Sequence, residues 1–227
     1  SLLKVHIEIV NTYMYVCIGE KAPDFKQFLE TLEYYTEPYN LENGKIAYQS
    51  RIIEKGNWKL VWENNRECYH CMLNHPELIQ SFPANWIQSK DGDFGKKENK
   101  ELMEELELPY DFYCGDNFEY RFMRHMFVKK STSMTIDGEP AIKNNKTLGR
   151  IPSLINIGNV PFYNYPSTWN HLQCDYGVSF RVTPISSTET EVVTTWLVPE
   201  HAIENIDYDL KELTEVWIAT NEQDQML

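Results

Sequence analysis

Residues 4–18 alternate apolar and polar positions among β-branched and aromatic types. Val5, Ile7 and Ile9, then Tyr13, Tyr15 and Val16, predict two strands with a turn near Asn11-Thr12. Ala22-Pro23-Asp24 opens a short helix with Phe25, Phe28 and Leu29 on one face and Leu32 continuing it. Residues 45–55 read as another strand, and residues 57–73 as a helix carrying Trp58, Leu60, Val61 and Trp62. Residues 84–118 are polar and loop-like, broken by a short acidic helix around 98–106. From 119 onward strands dominate: 120–130, 133–136 before a turn at Asp137-Gly138, 153–157, 172–183 and 189–198. The last two read as a hairpin joined through 184–188. A helix from about Tyr208 closes the chain. There is no internal repeat or low-complexity tract. The expected class is α+β, with helix early, a mostly antiparallel sheet after it and helix last.

Composition narrows the partners. The 227 residues suffice for one sizeable domain, or for one domain plus a fragment of another. A charged fraction of 24% beside a hydrophobic fraction of 42% fits an ordinary soluble globular protein. The formal net charge of -13 argues against nucleic acid, which needs clustered Lys and Arg, and disfavours anionic membranes. No apolar run approaches the ~20 residues of a membrane helix. Five cysteines, an odd number at low density, make a disulfide framework unexpected and point to a reducing, cytoplasmic setting. Ser1-Leu2-Leu3-Lys4 is not a signal peptide and lacks an initiator Met, so a chain cut out of something longer is expected.

The densest chemistry lies between Glu63 and Leu78. His70 and His75 are five residues apart, which on a straight helix leaves them about 140° apart. Pro76 disfavours helical backbone at His75, so the helix is expected to end or kink there and let both imidazoles converge on one ion. Cys68, His70, Cys71 and His75 also form a Cys2His2 set on paper, but all four crowd a turn and a half, unlike the paired knuckles of structural zinc sites. Cys68-Tyr69-His70 has the form of half a Rieske site. The other half, C-x-x-H, is absent, so the chain carries no Rieske cluster of its own. If the metal is iron, the third ligand should be a carboxylate. On the final helix, Leu210, Leu213, Trp217 and Asp224 share a face, Asp224 falling within about 20° of Trp217. A carboxylate on an apolar stripe needs a partner. A metal would serve, and so would water or an Arg at a helix end; spacing leaves both open.

Asn57-Trp58-Lys59-Leu60-Val61-Trp62-Glu63-Asn64-Asn65-Arg66-Glu67-Cys68-Tyr69-His70-Cys71, followed by Asn74-His75-Pro76-Glu77-Leu78, resembles the catalytic-domain signature of Rieske oxygenase α subunits. The Glu-Asn-Asn-Arg-Glu-Cys-Tyr-His-Cys variant is similar to the branch acting on quaternary amines such as glycine betaine, carnitine, stachydrine and choline. The segment 131–138 with Arg124, and the tail from Gly177 through Trp196, Asp207-Tyr208-Asp209-Leu210 and Trp217 to Asp224, resemble the same branch. The resemblance implies a helix-grip (START-like) fold, an antiparallel sheet wrapped around a long C-terminal helix. It implies mononuclear Fe(II) held by His70, His75 and Asp224, and a bridging role for Glu67 towards the 2Fe-2S cluster of a neighbouring subunit. Residues 1–20 would be the last strands of a truncated Rieske domain and residues 21–227 the catalytic domain, its final helix cut short. Such a fragment is expected to be inactive alone.

The resemblance further implies O2-dependent hydroxylation of an N-methyl carbon, then collapse to formaldehyde and a tertiary amine. Electrons would come from NAD(P)H through a separate reductase component, in a homotrimer. Choline, carnitine, stachydrine or an aromatic compound are the alternative substrates, and a non-catalytic ligand-binding helix-grip domain is the alternative class. A trimethylammonium group is best held by aromatic faces. The chain has 14 Tyr, 6 Trp and 10 Phe, and Phe162, Trp169 and Trp217 are the candidate substrate contacts. A carboxylate on the substrate would need an Arg, Lys or Tyr that the sequence does not single out.

Overall fold

The structure is a computed structural model and describes residues 4–82, 97–128 and 130–226. Its elements, in chain order, are β1 (His6–Val10), β2 (Tyr13–Cys17), α1 (Lys26–Thr36), β3 (Gly44–Glu54), α2 (Trp58–Arg66), α3 (Cys71–Asn74), α4 (Lys97–Glu105), β4 (Tyr113–Cys114), β5 (Tyr120–Phe122), β6 (Val160–Asn164), β7 (Thr168–Leu172), β8 (Gly177–Pro184), β9 (Thr190–Pro199) and α5 (Leu210–Asp224). Among the described residues, strands β1 and β2 pair with each other alone. The other seven form one antiparallel sheet in the order β3-β9-β8-β7-β6-β5-β4.

Period-two alternation divides the sheet into two faces, and each face has its own core. On one face Tyr163, Trp169, Val178, Phe180, Val192 and Trp196 pack with Val61 and Trp62 of α2 and with Leu213, Val216 and Trp217 of α5. On the other, Phe122, Val160, Phe162 and Leu172 pack with Phe28, Leu32 and Tyr35 of α1. Helix α5 owes its start to Asp209, whose carboxylate accepts from the amides of Lys211 (2.8 Å) and Glu212 (3.2 Å). Its buried residues recur at three- and four-residue steps, so one stripe lies on the sheet. An antiparallel sheet gripping a C-terminal helix is the helix-grip arrangement that the chain's resemblance implied.

Several expected elements differ. The strand expected over 120–130 stops at Phe122, and those at 133–136 and 153–157 are absent. Around 133–136 local bonds replace sheet ladders: the amides of Thr132 and Ser133 both reach the Gly138 carbonyl, and Ser133 Oγ donates to buried Asp175 at 2.6 Å. The strand expected over 172–183 is two, β7 and β8, because a tight turn carries Gln173 N to the Tyr176 carbonyl at 3.0 Å. The expected acidic helix is α4. The loop expected over residues 84–96 lies outside the described residues. The helix expected over 57–73 breaks after Arg66, and that break builds the site.

Between β5 and β6 the chain makes a long irregular excursion, closed by a bridge between His125 and Asn159. Gly158 closes it at φ +67°, where an added Cβ would come within 1.9 Å of the His125 carbonyl oxygen. Gly158→Ala is expected to destabilise the domain by about 2 kcal/mol or more. That corresponds to a fall in Tm of about 4–8 °C for a chain of this size. Thermal unfolding checks this, and an unchanged Tm would show that the bridge is not held as described.

Candidate metal centre and aromatic cleft

The centre begins with how α2 ends. Asn57 caps its start, its side chain accepting from Lys59 N at 3.1 Å. At the other end Glu67 adopts extended backbone, and its own carboxylate accepts from Tyr69 N at 2.5 Å. The chain turns over residues 67–70 and restarts as α3. His75 then leaves helical backbone (φ -119°, ψ 67°), as its place before Pro76 requires. Two breaks, one unforeseen, bring His70 and His75 round to face each other.

The same turn brings the Cys68 and Cys71 Cα atoms to 5.1 Å, and the two are joined by a disulfide. A bridge was unexpected from the cysteine count. It removes both thiolates from the paper Cys2His2 set and leaves His70, His75 and nearby carboxylates as the donors.

His70 Nε2 lies 3.0 Å from His75 Nε2, and Asp224 Oδ1 lies 3.4 Å from the first and 3.1 Å from the second. Each atom is pinned from behind. His70 Nδ1 is 2.6 Å from Glu67 Oε1, and His75 Nδ1 is 3.0 Å from Gln223 Oε1. Both partners are oxygen acceptors, so both Nδ1 atoms carry the proton and both Nε2 atoms present lone pairs. Gln223 is oriented in turn by donating to Glu77 Oε2 at 2.5 Å, and Asn64 donates to Asp224 Oδ1 at 2.8 Å. Burial opposes a second proton on His75, but the Asp224 hydrogen bond and charge, with Gln223 and Glu77, outweigh it and raise its pKa.

A proton on His75 Nε2 would join it to Asp224 alone, whereas a cation between the three would meet both imidazole lone pairs and the carboxylate oxygen together. In an octahedral face with bonds of about 2.1 Å, neighbouring donors sit about 3.0 Å apart. The observed 3.0, 3.1 and 3.4 Å suit that face, so the residues present fit a mononuclear iron. All three expected ligand residues are therefore brought together, with Glu67 directly behind one of them.

A cleft opens from this cluster, lined among others by Trp169, Tyr163, Phe82, Trp217, Arg121 and His171. Trp217 meets His171 at 4.5 Å between ring centroids and Phe180 at 5.2 Å, while Trp169 stacks on Phe180 at 5.2 Å. Phe162 borders the cleft, but its ring stacks on Phe122 at 5.0 Å and meets Tyr13 edge-on at 5.7 Å, in the opposite core. Of the three expected aromatic contacts, Trp169 and Trp217 belong to the core on the cleft side, whereas the Phe162 ring is committed elsewhere. The reason is register: Phe162 and Tyr163 are successive residues of β6 and point to opposite faces.

Sequence reading missed Gln223, Asn64, Glu77, Arg121 and His125. Gln223 and Glu77 each adjoin a recognised motif residue or its flanking Pro76, and Asn64 lies within the signature itself. Arg121 and His125 share the alternate positions of a strand-like run. Burial, then the charge of Arg121 and neighbouring His171, push the His125 pKa down to about 3. Burial and Arg121 do the same to His171, to about 3. Both rings are neutral at ordinary pH.

The fold is that of a helix-grip domain, with the donor set lying between the segment that follows α2 and the last turn of α5. Residues 37–227 match the family described as ring hydroxylating alpha subunit (catalytic domain), and the chain belongs to that family. It is 38% identical over 233 residues to a glycine betaine monooxygenase oxygenase subunit of Pseudomonas aeruginosa, covering 100% of this chain and 53% of that one. It is 36% identical over 236 residues to the Chromohalobacter salexigens protein of the same name, covering 100% and 51%. The chain thus spans about half the length of these relatives. Among solved structures it shares its fold with a quaternary ammonium Rieske monooxygenase (TM-score 0.63, 13% identity, 98% of this chain and 50% of that one). Naphthalene 1,2-dioxygenase with indole bound is similar at TM-score 0.54 and 17% identity, over 97% and 51%. At those identities the likeness is one of fold. No helix among the described residues is long and apolar enough to cross a membrane.

His125 gives a pH test of this burial. Its folded pKa lies below the unfolded value of about 6.5, so the unfolded chain takes the proton first. Its contribution is complete above about pH 6.5 and is lost as pH falls towards 3. Between pH 7 and pH 5 that loss is about 2 kcal/mol. His125→Asn should therefore narrow the stability gap between those pH values by about that amount. Urea unfolding of the metal-free protein measures it; an equal gap in both proteins would place a charged ring at 125.

Proposed function

We propose that this chain is the oxygen-activating part of a Rieske-type oxygenase that hydroxylates an N-methyl group of a glycine-betaine-like quaternary ammonium, releasing formaldehyde and a tertiary amine. The observation that carries the reading is the convergence of His70 Nε2, His75 Nε2 and Asp224 Oδ1 within 3.0–3.4 Å. A ligand-binding domain without redox chemistry has no use for three lone pairs turned on one point. The quaternary ammonium is supported by the names of the 38% and 36% relatives and by the aromatic cleft beside the donors.

In this reading His70, His75 and Asp224 hold Fe(II), which when bound supplies the activation of O2 and the oxidation of a substrate C–H bond. The chain's residues do the rest. Glu67 and Gln223 fix both imidazoles in the tautomer that presents Nε2. Trp169, Trp217 and Phe82 exclude water and offer ring faces to a methylammonium group that cannot donate hydrogen bonds. The Glu67 side chain, about a third exposed at 36%, touches His70 on one side and reaches the surface on the other. That suits a bridge to a 2Fe-2S cluster in a neighbouring subunit of a homotrimer.

The cluster, NAD(P)H oxidation by a separate reductase and a cytoplasmic setting complete the proposal. Residues 1–20 are read as the end of the Rieske domain and residues 21–227 as the catalytic domain. Strands β1 and β2 support this by forming their own sheet, with Ile7, Ile9, Met14 and Val16 exposed on it.

Iron analysis of the full-length oxygenase tests the centre. Wild type should hold one mononuclear iron per chain beyond its cluster. His70→Ala, His75→Ala and Asp224→Ala should each lose it, and Gln223→Ala should weaken its binding about 10–100-fold. Glu67→Gln should keep the iron and lose most of its reductase-driven turnover. Iron and turnover both intact in His70→Ala would sink the reading.

A further inference from the structure

The Cys68–Cys71 bridge lies against the donor cluster. Cys71 is buried at 4% exposure, and its Sγ lies within 4.8 Å of a ring nitrogen of both His70 and His75. Cys68 is only partly buried, and both cysteines line the cleft together with the donors. The bridge also encloses Tyr69 and His70, so one of the donors sits inside the ring that it closes.

A sulfur held in a disulfide carries no charge and is a poor ligand. A thiolate is a strong one, and a bound metal takes its proton off. With the bridge intact the cluster offers two imidazoles and a carboxylate, a set that leaves coordination positions open. Breaking the bridge adds Cys71 as a fourth donor. Around a tetrahedral ion, with bonds of about 2.0–2.1 Å to nitrogen and about 2.3 Å to sulfur, two nitrogens sit about 3.3 Å apart and a sulfur about 3.6 Å from each.

His70 Nε2, His75 Nε2 and Asp224 Oδ1 already stand 3.0–3.4 Å apart. From within 4.8 Å, Cys71 Sγ has roughly 1.2 Å at most to close, which a side-chain rotation supplies once Cys68 is released. A thiolate softens the donor set, and softness with four-coordination selects zinc over iron. Four protein ligands fill that ion's coordination sphere and leave no position for O2 or substrate.

We propose that the Cys68–Cys71 bridge is a redox gate on metal identity. Closed, it leaves His70, His75 and Asp224 as the iron-type set; opened, it makes Cys71 the fourth ligand of a closed zinc site. Opening takes a dithiol reductant. Its thiolate attacks the more accessible Cys68 sulfur, the S–S bond breaks and Cys71 leaves with the electron pair. The second thiol of the reductant then frees Cys68 and departs with the first as a cyclic disulfide. The reductant's two protons pass to the two cysteine sulfurs, and Zn2+ displaces the one on Cys71 to solvent. Closing takes hydrogen peroxide: the thiols give up two electrons and two protons, the S–S bond re-forms, and the peroxide becomes two waters. The gate goes beyond the oxygenase reading and shares with it only the donor cluster.

Zinc-edge X-ray absorption of the full-length oxygenase tests this, because it is blind to the iron of a cluster. The protein is stripped with a chelator and given one equivalent of Zn2+, once after peroxide and once after dithiothreitol. After peroxide, zinc should show only nitrogen and oxygen ligands at about 2.0–2.2 Å. After dithiothreitol it should gain a single sulfur at about 2.3 Å and bind at least about tenfold more tightly. Cys68→Ser should show that sulfur without reductant, and Cys71→Ser should never show it. If Cys71→Ser does not fold, alkylation of the reduced wild type decides: zinc should protect Cys71 and leave Cys68 labelled. No sulfur in the reduced wild type, sulfur in a folded Cys71→Ser, equal alkylation of both thiols, or free thiols at both positions after peroxide overturns the gate and leaves the iron reading standing. Zinc that binds in neither state overturns the metal centre along with the gate.

Discussion

Three atoms that repel one another, His70 Nε2, His75 Nε2 and Asp224 Oδ1, are held within 3.0–3.4 Å. Most of the site is organised around keeping them there. Glu67 and the Gln223–Glu77 pair restrain the imidazoles from behind, and Asn64 restrains the carboxylate. These supports come from α2, from the turn after it, from the segment following His75 and from the last turn of α5. The sheet's task is to hold α5 at a fixed height against α2. Leu213, Val216 and Trp217 do this by burying one stripe of α5 against Val178, Phe180 and Trp196.

The two-faced sheet separates stability from chemistry. The face towards α1 is closed by stacked rings such as Phe122 and Phe162, whose planes are 7° from parallel. The face towards α5 is less completely filled near β5–β7, and there the cleft lies. Its lining combines aromatic rings with a guanidinium and two imidazoles kept neutral by burial and by that guanidinium.

Much of the site was legible in the chain. The interval between His70 and His75, with Pro76 behind it, already demanded a break in the helix, and the angular position of Asp224 put it on the stripe that carries Trp217. The family signature pointed to the same residues. The fold class was equally legible, because long alternating runs and a single terminal helix admit few arrangements. The strand expected at 133–136 was wrong because turn and side-chain hydrogen bonds met its backbone needs locally, and at 153–157 the Ile157 carbonyl is met by Arg124 rather than by a neighbouring strand. The helix expected to reach residue 73 stopped after Arg66, where the Glu67 carboxylate captures the Tyr69 amide.

What the sequence determined by itself was therefore the α+β class, from periodicity, and His70 and His75 as a candidate pair, from their spacing before Pro76; spacing left Asp224 open, and the family resemblance named it. The tertiary structure decided which neighbours complete the centre and which aromatics face it. Gln223 meets His75 across 148 residues, and no local pattern encodes such a contact. A one-residue difference in strand position sends the Phe162 ring away from the cleft and keeps Tyr163 and Trp169 in the core beside it. That alternation is simple, but its phase is fixed only when every strand of the sheet has found its partner.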